Sequence, residues 1–128
     1  MDQYDIVDPE SRSTESFQTC DVVVRKLTES LGCTDLRVNQ AVLEPGDVTT
    51  PHRHDGQEEV FVPQTAGQIA IGGEVHDVPA GHVVRVAPSA VRNLLNRTDD
   101  THRWLAFGAP PVGTAEDFGS YVLPGDEQ

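Results

Sequence analysis

"PHRHDGQEEVFV", residues 51–62, is the stretch on which the reading of this chain turns. His52 and His54 stand one residue apart, Glu58 and Glu59 follow, and Val60-Phe61-Val62 reads as a strand. Along a strand, residues i and i+2 face the same way. His52 and His54 then point together into an interior, and Arg53 points out. A neighbouring strand can bring Glu59 to the same place. Glu58 competes with it, but Glu59 shares the inward face with Phe61 and is preferred. Two imidazoles and one carboxylate meeting at a point form the facial ligand set of non-haem iron, for which manganese, nickel, copper and zinc compete. The plain alternative is a polar loop with two solvated histidines.

Outward from this stretch the chain breaks into short apolar runs. "GQIAIGG", "EVHDVPAG", "HVVRVAP", "RNLLNRT" and "HRWLAFG" follow at a spacing near ten residues, nearly all bounded by Gly, Pro, Asn or Asp. On the N-terminal side, Val22-Val23-Val24 favours a strand, and Leu27 and Leu31 suit one face of a short helical turn. In "DLRVNQAVLEPGD", Leu36 and Val38 alternate, then Ala41 and Leu43, up to the turn signal Pro45-Gly46. Many short strands with regular turns predict an all-β sandwich or barrel. No long helix is expected. The predicted organisation is an N-terminal arm (1–18), a barrel (19–110) and a C-terminal tail (111–128). The tail carries Phe118, Tyr121, Val122 and Leu123, so it is expected to pack back on the barrel.

At 128 residues the chain suits one domain with a core of its own. Its net charge of −12 argues against nucleic acid and anionic membranes, which need a basic footprint. Lys26 is the sole lysine beside eight arginines. That texture suits a protein of a salt-rich cytoplasm, or an ordinary acidic protein from an organism whose codons favour arginine. Cys20 and Cys33 form no CxxC pair, so a zinc finger is not expected; reduced thiols in a cytosolic protein are. "MDQYDIVDPE" has no apolar core of a signal peptide, and no run reaches membrane-spanning length.

Residues 46–67 resemble the first motif of the cupin superfamily, G-x5-H-x-H-x3,4-E-x6-G: Gly46, His52, His54 and Glu59 keep the spacing, and Gly67 comes one residue late. Residues 81–96 resemble the second, G-x5-P-x-G-x2-H-x3-N. Gly81 and Asn96 are kept. Ala87 stands for the proline, Ser89 for the glycine, and Arg92 for the histidine that would be a further metal ligand. Together with "EPGD" and "WLAFGAPPVG", the chain is similar to small single-domain cupins of haloarchaea. The resemblance implies a double-stranded β-helix (jelly-roll) barrel, a central metal pocket and assembly as a homodimer. It implies no single reaction, since such folds host oxygenases, isomerases, decarboxylases and plain binding modules.

The expected function is therefore a mononuclear divalent metal (Fe, Mn, Ni, Cu or Zn) at His52, His54 and Glu59, binding a small polar, anionic ligand beside Arg92 and Phe61. A metal-dependent oxygenase or isomerase fits that description. The alternative is a metal-free binding or regulatory module. Arginine does not normally ligate a metal. Arg92 either offers its fork to an acid group of a ligand, marks a pocket that has lost its metal, or pairs with Glu58 or Glu59 and fills space. Gln57 is read as a turn residue, His76, His82 and His102 as surface histidines, and Trp104 and Phe107 as core or pocket wall.

Overall fold

The computed structural model describes residues 3–17 and 20–111. The expectation that the tail packs back falls on residues 112–128, outside the described residues. Nine strands and little helix are present among the described residues. A six-stranded antiparallel sheet runs β1-β2-β3-β9-β4-β7, from β1 (Glu15–Ser16), β2 (Val23–Lys26), β3 (Arg37–Leu43), β9 (His102–Ala109), β4 (Glu58–Pro63) and β7 (Val84–Val86). A three-stranded sheet runs β6-β5-β8, from β6 (Glu74–Val78), β5 (Gly67–Ile71) and β8 (Arg92–Leu95). The helical turn suggested by Leu27 and Leu31 is α1 (Thr28–Leu31), which ends on Gly32.

The two sheets close on a core that includes Leu43, Phe61, Ile69, Leu94 and Trp104. Register fixes which side chains look inward. Arg37, Asn39, Ala41 and Leu43 on β3 stand opposite Gly108, Ala106, Trp104 and His102 on β9, and Glu59, Phe61 and Pro63 on β4 stand opposite Gly108, Ala106 and Trp104. Because the side-chain period is 2, these residues share one face. The rows run from a polar end (Arg37, Gly108, Glu59) to an apolar floor around Trp104.

Trp104 lies in the core, as expected. It is fully buried and meets Phe61 edge-on, with ring centroids 6.3 Å apart. Phe107 corrects the reading of it as core or pocket wall. It pairs with Val38 and Val60 on the outer face of the sheet and is half-buried there. His102 corrects another expectation: it is 3% exposed. It shares the inward period of β9 with Trp104, so it closes the far end of the barrel. His102 Nε2 and Thr98 Oγ1 share a hydrogen bond of 2.9 Å. Burial holds the His102 pKa below its ordinary value, against the pull of Asp100. His76 and His82 are exposed, as expected.

Gly67 leaves room for the indole. A Cβ there would lie 2.6 Å from Trp104 Nε1 and 2.8 Å from Cε2 and Cζ2. Gly67→Ala is therefore expected to lower stability by about 1–3 kcal/mol, the usual penalty of overpacking. Urea unfolding reads this as a lower midpoint at unchanged slope. An unchanged midpoint would mean that Trp104 can shift, and that the glycine is not needed for packing.

Candidate metal centre

His52 and His54 do not lie on a regular strand, which corrects the sequence reading. Residues 46–54 run antiparallel beside β8 as an interrupted ladder. Val48 bridges Leu95 and His52 bridges Arg92, so three residues on one side face two on the other. The extra residue makes this a bulge, a device that re-aims side chains next to functional sites. The Thr49 hydroxyl fills the gap by accepting the Leu94 N–H at 2.9 Å. Pro51, with no N–H, cannot continue the ladder.

The bulge delivers His52 opposite Arg92, with backbone hydrogen bonds of 3.0 and 2.8 Å between them. His54 follows, edge-on to His52 at 4.9 Å between ring centroids. Glu59 comes from β4. One donor atom from each of His52, His54 and Glu59 lies within 4.8 Å of the others. His54 Nε2 is 3.1 Å from Glu59 Oε1. Glu58, by contrast, is exposed and ion-paired with Arg85. Of the two glutamates, Glu59 is the one that stands beside the histidines.

The donor chemistry fits a divalent cation. His52 Nδ1 must donate to the Thr50 carbonyl, 2.8 Å away, which leaves the lone pair on Nε2. A backbone partner of this kind is what orients ligating imidazoles. Burial is the main cause that lowers the His52 pKa to about 4, with the charges of His54 and Arg92 adding to it. The Thr50 hydrogen bond and Glu59 pull the other way. His52 is thus neutral at pH 7, the form that ligates.

Arg92 points into this site. It is 1% exposed, its Nε is 3.7 Å from Glu59 Oε1, and its Nη2 donates to the Ala87 carbonyl at 2.7 Å. The backbone bond holds the guanidinium in place beside the carboxylate. Phe61 lines the same cavity, which encloses about 60 Å³. Gln57, read above as a turn residue, proves to be a wall of the cavity and is 1% exposed. Its amide donates to the Pro110 carbonyl at 3.1 Å and covers Gly108, where a Cβ would lie 2.7 Å from Gln57 Oε1. Arg37 and Asn39 also line the cavity and were not singled out from sequence. The signal for them was a change of phase: the apolar alternation runs on even numbers through Val38 and on odd numbers from Ala41.

Residues 39–108 match the family model described as a cupin domain. The chain belongs to the cupin family. No curated protein matches its sequence. Solved structures share the fold of this cupin at low identity. A cupin protein from Bacteroides fragilis aligns with a TM-score of 0.70 at 22% identity, over 93% of this chain and 97% of that one. A sugar phosphate isomerase from a cupin superfamily, of Silicibacter pomeroyi, gives 0.71 at 19%, over 92% and 90%. A predicted oxalate decarboxylase from Thermotoga maritima gives 0.70 at 18%, over 82% and 98%. These likenesses establish the double-stranded β-helix fold. The two reactions named differ, so the fold does not select one.

Proposed function

We propose that this cupin holds one divalent metal at His52, His54 and Glu59 and binds a small anionic molecule between that site and Arg92. The convergence of the three donor atoms inside a cavity carries the proposal. When bound, the metal would supply Lewis-acid or redox chemistry at its open positions, as in an oxygenase or isomerase. The chain's own residues do the rest. Thr50 holds the His52 ring in its ligating tautomer. Arg92, fixed by Ala87, offers charge-assisted hydrogen bonds to an acid group. Phe61 and the apolar floor exclude water, which strengthens those contacts.

The test is metal analysis of protein purified without tag or added metal. About one equivalent per chain supports the proposal; substoichiometric metal after metal reconstitution as well would overturn it. One observation favours a second reading, a metal-free binding module. Arg92 stands close enough to Glu59 to balance its charge without an ion. That reading requires anion binding that a chelator leaves unchanged.

We also propose a cytoplasmic, homodimeric protein of a saline cell. With a net charge of −12, self-repulsion weakens the fold in dilute salt. The ion pairs that pin the N-terminal segment oppose this: Glu10 lies 3.5 Å from Arg25 and 3.3 Å from Arg103, partly exposed. Such pairs contribute about 0–1 kcal/mol each and weaken with salt. Global repulsion is the larger effect, so Tm is expected to rise markedly between about 0.1 and 2 M KCl. Most of the rise comes early, because the Debye length is already about 3 Å at 1 M. A flat or falling Tm would remove the halophilic reading.

A further inference from the structure

One step in from the proposed metal site the lining of the cavity turns apolar, and it does so on three strands at once. Along β4 Glu59 gives way to Phe61, along β8 Arg92 gives way to Leu94, and along β9 Gly108 gives way to Ala106. Each pair is two residues apart, so the step is about 7 Å and stays on the same face. On β3 the change comes one row deeper, at Ala41. Asn39 is the polar member of the row of Ala106 and Phe61. Thr49 also lines the cavity, but its hydroxyl is committed to the Leu94 backbone.

Two of the apolar positions are alanines, Ala41 and Ala106, whose short side chains leave room. Phe17 bounds that room. Glu15 of β1 pairs with Val24, and Val24 pairs with Ala41, so odd-numbered positions from β1 onward take the inward face. The Phe17 N–H donates to the Val22 carbonyl at 3.1 Å. Phe17 packs against the core and lines the cavity from that side. The N-terminal arm thus supplies a wall of the site. The enclosed volume of about 60 Å³ holds about five waters at 10–15 Å³ each, so what enters is small.

We infer that the ligand is a small acid with one polar head and a short apolar body, and that Phe17 sets the length of body that fits. The head lies at His52, His54 and Glu59, and the body lies between Phe61, Leu94 and the two alanines. A ligand polar at both ends would set its second polar group among carbons, where a group without a hydrogen bond is costly. An apolar body there gains by leaving water. Phe17 is then the residue that determines specificity. The inference deepens the proposal above and rests on the cavity being the ligand site.

The experiment is calorimetric titration of the wild-type protein, zinc-loaded and after chelation, with 2-oxo acids that share one head. These are pyruvate, 2-oxobutyrate and 2-oxohexanoate, with 3-hydroxypyruvate as the polar counterpart of 2-oxobutyrate. 2-Oxobutyrate is expected to bind about fourfold more tightly than pyruvate, the effect of one buried CH₂. It is expected to bind about tenfold more tightly than 3-hydroxypyruvate, in which a hydroxyl replaces the methyl. 2-Oxohexanoate is expected to bind more weakly than 2-oxobutyrate, because its body reaches Phe17. Phe17→Ala should reverse that last order, with pyruvate affinity within about twofold of wild type and metal content unchanged. Phe17→Leu, which disturbs the packing of β1 less, should narrow the gap. Three results would overturn the inference: no binding by any of the series, 3-hydroxypyruvate binding as tightly as 2-oxobutyrate, or an unchanged gap in both Phe17 variants. A protein that holds no metal yet prefers the apolar body sinks the metal proposal alone. A protein that holds metal and shows no such preference sinks this inference alone.

Discussion

Replacing His52 by alanine is expected to abolish stoichiometric binding of a divalent metal while leaving the barrel folded. Losing a partner that merely orients a ligand typically weakens metal affinity about 10–100-fold, so losing the ligand itself should exceed that. Folding should survive, because the core lies around Trp104, Ile69 and Leu43 and not around His52. The local penalty is a Thr50 carbonyl without its imidazole donor, about 1 kcal/mol. Metal content is read under chelator-buffered conditions, with the far-ultraviolet spectrum as the control for folding. Glu59→Gln should show a comparable loss. Glu58→Gln should bind like the wild type, because Glu58 faces solvent and Arg85. Equal metal content in the wild type and His52→Ala would remove the proposed centre. A larger loss at Glu58 than at Glu59 would mean that β4 is out of register with the structure.

What the sequence made legible, and what it hid, follows one physical division. Spacing was readable wherever the backbone imposes it. Gly46 and Gly81, which open the two motifs, have φ of 87° and 80°, a region that disfavours other residues. Their spacing to His52 and Arg92 carried over into a direct cross-strand pair. Local pattern failed where tertiary contacts set the face. The bulge at Thr49–Pro51 depends on Leu94, a residue 45 positions away in the chain from Thr49. Nothing near His52 announces it, so the histidines looked like members of a strand. Gln57 follows Asp55 and Gly56 and looks like part of a turn. It is buried only because Gly108 vacates the space it fills. His102 looked like a surface residue because it flanks a polar loop, yet it keeps the inward period of Trp104. Arg37 and Asn39 were hidden by their apolar neighbour Val38, whose burial is on the other face of the sheet.

Replacing Arg92 by histidine is expected to move two affinities in opposite directions. Arg92 and His52 exchange both backbone hydrogen bonds, so their side chains leave the same face of the ladder with Cα atoms about 5.5 Å apart. A histidine at 92 therefore starts beside the ring of His52. The substitution removes a fixed positive charge that lies 3.7 Å from the Glu59 carboxylate, and so ends a repulsion that any bound cation must overcome. It also adds an imidazole, which suits the same divalent metals. Metal affinity should rise by about tenfold or more, since each 1.4 kcal/mol is a factor of ten. Anion affinity should fall, because the fork anchored on the Ala87 carbonyl is gone. The loss should be greatest for acids that approach the metal site, and it should appear in metal-free protein too, where the ion cannot compensate. Calorimetry with zinc, and separately with malonate after chelation, measures both. Tighter metal with unchanged anion affinity would place the anion elsewhere in the cavity. Unchanged values for both would mean that Arg92 does not face the site, and the cross-strand pairing of His52 with Arg92 would have to be redrawn.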